Sequence, residues 1–301
     1  MQINGVAIED TFAEAFTMRA ARLSITAADI YWAREAAIAA TGFATSVIGC
    51  GVEAGIEGES KDTPDGRPGV DCLFFATSRD ALEAALIARV GQAIMTTPST
   101  ACFAAVLADL PEDGKINIGG KLRFFGDGYQ ASKVIAGIRY WRVPVMDGEF
   151  LVQEEFAVTK AVGGGNFLIL AENEQSALNA AKAAVKEMQK MRGIILPFPG
   201  GTVRSGSKVG SGYKFLNAST NTAYCPTIRG RLGNSQLPEG VNTVLEIVID
   251  GLTADLVGEA MKTGIMEAVK VPGIVGITAG NYEGKLGKHQ FHLRRILGGQ
   301  A

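Results

Sequence analysis

A carboxylate set inside an apolar run is the first place to look for chemistry, and Glu246 in Val244-Leu245-Glu246-Ile247-Val248-Ile249 is such a residue. In a strand buried on both faces an ionised carboxylate is costly, so its pKa rises unless a cation or several N–H donors replace the lost hydration. A carboxyl tuned in this way gives and takes protons near neutral pH. The same pattern fits a glutamate on the solvent side of a strand or one paired with an arginine, and periodicity alone favours these plainer outcomes. Glycine-rich turns follow strand-like runs at Pro197-Phe198-Pro199-Gly200-Gly201 and at Gly280-Asn281-Tyr282. Their backbone N–H groups can hold an oxyanion, although glycines after strands more often only turn the chain.

Other patterns lack what their chemistry needs. Gly201 to Lys208 has the length of a phosphate loop, but its order is Gly-Ser-Lys where lysine must precede the hydroxyl residue to reach the phosphates. Gly163-Gly164-Gly165 opens into a strand instead of leaving one for a helix, so the dinucleotide geometry is missing. Ser205 to Lys208 fits S-x-x-K and Lys262-Thr263-Gly264 fits K-T-G, yet the latter falls in a helical pattern and no Ser-Asp-Asn accompanies them. His289 and His292, the only histidines, stand three apart in a strand-like run and point to opposite faces. Cys50, Cys72, Cys102 and Cys225 are too scattered for a disulfide framework or a metal knuckle, and read as reduced thiols.

The elements that must position Glu246 can be read from periodicity. Four strand–helix–strand units are expected: strand 22–26, helix 30–40 and strand 44–49; strand 69–77, helix 81–90 and strand 93–97; strand 166–171, helix 175–191 and strand 194–196; and strand 241–250, helix 254–270 and strand 274–278. In the last two, each helix ends before a glycine, Gly193 or Gly273, and each next strand runs on to Lys208-Val209-Gly210 or Lys285-Leu286-Gly287. That likeness predicts an internally duplicated architecture with two βαβ units side by side in each half. A hairpin-rich stretch, 121–159, with turns at Gly126-Asp127-Gly128 and Asp147-Gly148, separates the halves. The fold class is therefore α/β (α+β), two ferredoxin-like lobes with mixed, largely antiparallel sheets, 1–150 and 151–301.

A length of 301 residues suits two domains, and 47% hydrophobic with 20% charged residues describes a globular chain. Twenty-nine basic against thirty-one acidic residues leave a net charge of −2, which offers no general attraction to nucleic acid or anionic membrane. Without a signal-peptide pattern or an apolar stretch of bilayer length, the cytoplasm is the expected location.

Read in order, these segments resemble the formylmethanofuran:tetrahydromethanopterin formyltransferase family nearly end to end. The resemblance is carried by Asn4-Gly5-Val6, Glu9 to Phe16, Thr41 to Ile48, Thr63 to Gly69, Phe124 to Tyr129 and Gly164 to Phe167, then by Pro197 to Gly201, Ser205 to Gly210, Ala218 to Asn221, Leu237 to Val241, Glu246 to Ile249 and Ala279 to Tyr282. It implies a homotetramer of two-lobed subunits, with a distal and a proximal lobe, with no permanently bound cofactor and no metal. The implied reaction is reversible transfer of a formyl group between the amine of methanofuran and N5 of tetrahydromethanopterin, both coenzyme substrates, through a ternary complex and a tetrahedral intermediate. Glu246 matches the strand glutamate that the family places beside the formyl group. Phe198, Pro199, Gly200, Gly201, Ser207, Lys208, Ser219, Thr220, Asn221, Gly280 and Asn281 become candidate substrate contacts. Two departures are visible: Cys50-Gly51-Val52-Glu53-Ala54-Gly55 where the family often has Cys-Pro-Ala-Glu-Ala-Gly, and Arg204 where alanine is usual. Near-neutral charge suggests a mesophilic, methylotrophic bacterial member, held in a complex with formyl-hydrolysing subunits. The alternative reading is a non-catalytic scaffold subunit that binds the coenzymes for such a hydrolase.

Overall fold

The computed structural model describes residues 1–105, 107, 111–231 and 233–298, all but the Glu112 side chain. Two β-α-β-β-α-β units follow one another along the chain. The first comprises β1 (Phe12–Thr26), α1 (Ile30–Thr41), β2 (Glu53–Glu59), β3 (Gly69–Ala76), α2 (Arg79–Arg89) and β4 (Ala101–Ala104). The second comprises β5 (Glu155–Ala171), α3 (Glu174–Met188), β6 (Ile194–Ile195), β7 (Thr243–Gly251), α4 (Ala254–Ala268) and β8 (Ile274–Thr278). Their strand orders are β4-β1-β3-β2 and β8-β5-β7-β6, antiparallel at every pairing. This is the ferredoxin-like order, twice, as the sequence predicts.

Each unit takes on one parallel strand: Gly148–Gln153 against β4 and Val6–Ile8 against β8. The two sheets fuse where residues 16–20 of β1 pair with 159–163 of β5. One core holds Leu23, Ile25, Phe74, Leu82, Leu86 and Phe156, and the other gathers Val6, Ile8 and Ala15 with Phe167, Ile247, Ile249 and Met261. The first residues of the chain therefore pack on the second unit, and the start of β5 packs on the first.

Local chemistry sets the element ends. Asp29, Ser78, Asn173 and Thr253 each accept a backbone N–H of the helix they precede, as good N-caps do. Gly193 and Gly273 both lie at φ +84, a left-handed exit that explains the matched glycines of the last two units. The alanine face of α3 (Ala177, Ala180, Ala181, Ala184) brings it close against α4, where a Cβ on Gly264 would stand 2.5 Å from Met188 Sδ. Such close approach is what the small residues provide.

Two expected strands fail, and one turn was not foreseen. Residues 44–49 form no strand; Ser46 caps a one-turn helix, Val47–Cys50, and the second strand begins at Glu53. Residues 93–97 continue α2 through a wider turn closed by Met95 N–H to Val90 O at 2.8 Å, and the strand begins only at Ala101. In the hairpin region, strands Ala131–Ile135 and Ile138–Val145 turn at Ala136-Gly137, both with positive φ, a turn that the sequence reading missed.

Candidate active site

Strand β6 is only two residues long because Pro197 and Pro199 cannot donate to the ladder. The chain leaves the sheet there and returns at Val203, which pairs with Glu246 through N–H to O bonds of 2.7 and 2.9 Å. On its other edge, Glu246 registers with Leu168 of β5. The backbone of Glu246 is thus clamped from both sides, while its side chain opens into a cleft of about 680 Å³. Burial pushes its carboxyl up to about 7. Of the two outcomes that periodicity left open, the structure favours the desolvated carboxyl.

A second wall comes from the turn after β8, positioned by Glu14 of β1. The Glu14 side chain is almost fully buried and accepts the N–H groups of Tyr282, Gly284, Leu286 and Gly287 at 2.5–2.8 Å. Burial alone would raise its carboxyl, but those four donors together hold it below the ordinary range. Asn166 adds a reciprocal pair, its amide oxygen accepting Gly280 N–H at 2.6 Å and its amide nitrogen donating to Gly280 O at 3.1 Å. The turn is therefore a rigid wall. Tyr282 projects from it beside Glu246 and Ser207, its ring 6.2 Å from that of Phe16.

Farther along the same face of β7, two residues per step, come Val248 and Asp250. Asp250 is fully buried against Glu53 of the first unit; its Oδ1 accepts Gly164 N–H at 2.9 Å, and Glu53 accepts Val47 N–H at 3.0 Å. Burial raises both carboxyls, and the neighbouring Glu53 raises Asp250 further, so the pair holds protons to higher pH than free carboxyls do. The bulge at Gly163-Gly164-Gly165, with Gly164 at φ +87, turns that N–H toward Asp250.

The expected substrate contacts divide between two cavities. Glu246, Phe198, Ser207, Lys208, Asn221, Gly280 and Asn281 line the 680 Å³ cleft. Pro199, Gly200 and Gly201 line an adjoining hollow of about 390 Å³ that shares Phe198 with it. Ser219 and Thr220 brace the rim instead: Ser219 hydroxyl donates to Gly210 O at 2.7 Å, and Thr220 hydroxyl to Ser205 O at 3.2 Å. Lys208 Nζ donates to Thr222 Oγ1 at 2.8 Å. Glu14, Glu53, Asn166 and Asp250 were not singled out from sequence as site residues, and Tyr282 was named only as part of a turn with available backbone N–H groups. Asp250 carried a signal, an even spacing from Glu246 on one strand face; the others depend on contacts remote in sequence. A cavity of about 750 Å³ lies elsewhere, with Arg22 and Arg192 on its wall paired with Glu57 and Asp71.

Comparison with known proteins decides the family. Residues 1–145 match the family model of formylmethanofuran-tetrahydromethanopterin formyltransferase, and residues 148–296 match that of its proximal lobe. The chain belongs to this formyltransferase family. The enzyme of that name from Methylobacillus flagellatus is 56% identical, over 99% of this chain and all of its own length. That of Archaeoglobus fulgidus is 51% identical with the same coverage. Among solved structures, the formyltransferase from Methanosarcina barkeri superposes with a TM-score of 0.90 at 48% identity, covering 98% of this chain and all of its own. The formyltransferase/hydrolase complex from Methylorubrum extorquens, solved with methylofuran, contains a chain that superposes at 0.94 and 48% identity, covering 100% of this chain and 99% of that one.

Proposed function

We propose that this formyltransferase moves a formyl group reversibly between the amine of methanofuran and N5 of tetrahydromethanopterin, with Glu246 as the proton carrier. The observation that carries the residue assignment is a carboxyl pushed to about 7 on the floor of a cleft large enough for two reacting heads. N5 attacks the formyl carbon and its proton passes to Glu246. The tetrahedral intermediate then collapses, the bond to the methanofuran nitrogen breaks, and that nitrogen takes the proton from Glu246. Neither a covalent nucleophile nor a change in total charge is required. Holding two amines in register contributes roughly 7–11 kcal/mol, so alignment supplies much of the acceleration.

Phe198, Ser207, Lys208, Asn221, Gly280 and Asn281 hold the coenzymes in the main cleft, and Pro199, Gly200 and Gly201 extend the contact into the adjoining hollow. Ser219 and Thr220 act through the rim. We also place the lobe boundary near residue 150, the subunit in a cytoplasmic homotetramer, and the assembly beside hydrolase subunits; the M. extorquens complex supports the last point. Among the described residues no helix is long and apolar enough to cross a membrane. Mixing the purified chain with formylmethanofuran and tetrahydromethanopterin, and following formyl-tetrahydromethanopterin by absorbance, tests the reading. Turnover by the chain alone is expected; binding of both coenzymes without turnover would make it a scaffold.

A further inference from the structure

Helix α1 is amphipathic the wrong way round for a helix that serves only its own unit. The face it turns to the core is alanine alone: Ala33, Ala36, Ala37 and Ala40, all fully buried. Its large apolar side chains stand on the other side, where Tyr31 is 60% and Ile38 51% exposed and Ile30 joins them. Tyr31 and Ile38 are seven residues apart, two helical turns, so they share one ridge, and Arg34 and Glu35 lie between them on it. Neither of these charges has an ion pair among the described residues. An exposed apolar ridge with an unused cation and an unused anion at its centre is built to be covered.

The order of residues along the ridge identifies the cover. A two-fold axis passing between positions 34 and 35 carries 30 onto 39, 31 onto 38 and 34 onto 35, and all six are exposed. Every residue then meets one that suits it. Tyr31 lies on Ile38, Ile30 on the small Ala39, and Arg34 against Glu35, each contact made twice. A parallel arrangement would instead set Arg34 against Arg34 and Glu35 against Glu35, which like-charge repulsion forbids. A partner of unrelated sequence would require no such symmetry in this face.

We infer that the outer face of α1 is an isologous interface, on which a second copy of this chain lays its own α1 antiparallel, Tyr31 on the partner's Ile38 and Arg34 against the partner's Glu35. The inference names a surface for the homotetramer proposed above and rests on that assembly. Four copies in a closed two-fold arrangement need two different self-complementary interfaces, and this is one of them. Burial of the tyrosine and isoleucine side chains supplies the attraction, while the charges at the centre fix direction and register.

Light scattering of the purified chain over a concentration series tests this, with far-UV circular dichroism to show that each variant is folded. Arg34→Glu sets two glutamates together across the axis, and Glu35→Arg sets two arginines together; both positions are exposed, so the fold of the subunit is left alone. Wild type should hold four copies, and each single variant should fall to half that mass, its dissociation constant raised at least about tenfold. Combining Arg34→Glu with Glu35→Arg restores opposite charges across the axis and should restore the wild-type mass. Ile38→Asp should also halve the mass. Single variants that keep the wild-type mass, or a double variant that stays at half, would overturn the inference with the tetramer still standing. The face would then belong to another occupant, such as a hydrolase subunit. A wild-type chain that is monomeric at every concentration would instead remove the homotetramer itself.

Discussion

At the scale of single residues, Glu246 sets protonation and stability against each other. Its folded pKa lies above the unfolded value, so the stability it contributes is complete below about pH 4.5 and lost as pH rises through about 7. Glu246→Gln has no charge to desolvate. The variant should lose 10² or more in transfer rate yet be up to about 3 kcal/mol more stable than wild type above pH 7, with the difference vanishing near pH 4. Thermal unfolding across that range checks the second half; a variant less stable than wild type at pH 8 would show that the carboxylate is well solvated. Glu246 was legible because a charge within an apolar run contradicts its surroundings. Which way it faced was not, since that depends on where β6 stops and Val203 returns.

At the scale of elements, the turn after β8 is held by a carboxylate on β1 rather than by its own sequence. Glu14→Ala leaves four N–H groups without their acceptor and should cost at least about 3 kcal/mol, because hydrogen bonds to charged groups contribute roughly 1.5–3 kcal/mol each and are not additive. Glu14 is held below its ordinary pKa, so its stabilisation is present above about pH 4.5 and fades as pH falls. Urea titration of the variant at pH 7 checks the size, and loss of transfer with little loss of stability would place Glu14 in the chemistry instead. The helices and central strands were readable from periodicity, with α1, α3 and α4 recovered to within a few residues at their ends. Short elements were not. Val47–Cys50 and the continuation past α2 are decided by a serine cap and by one i→i+5 bond, and neither alters the hydrophobic pattern.

At the scale of the molecule, two ferredoxin-like units share one sheet, and the cleft lies where they meet. Glu53 of the first unit lines it, next to the fully buried Asp250 of the second. Both pKa values are raised, so stability present at lower pH is lost as pH rises and the pair ionises. Asp250→Asn removes one of the two titrating carboxyls, while its amide oxygen can still accept Gly164 N–H. As pH rises, the melting temperature of the variant should gain on that of wild type; melting temperatures that stay parallel as pH rises would show that ionisation of the pair does not weigh on stability. The duplication was visible in the repeated glycines, but this contact, spanning nearly two hundred residues, left no local trace. The central claim, one carboxyl moving one proton between two nitrogens, is tested most directly by the pH dependence of kcat/KM for transfer to tetrahydromethanopterin. Wild type should show an acid limb centred near pH 7, and the residual rate of Glu246→Gln should lack it. A profile flat through pH 7, or a limb that survives the substitution, would contradict the account.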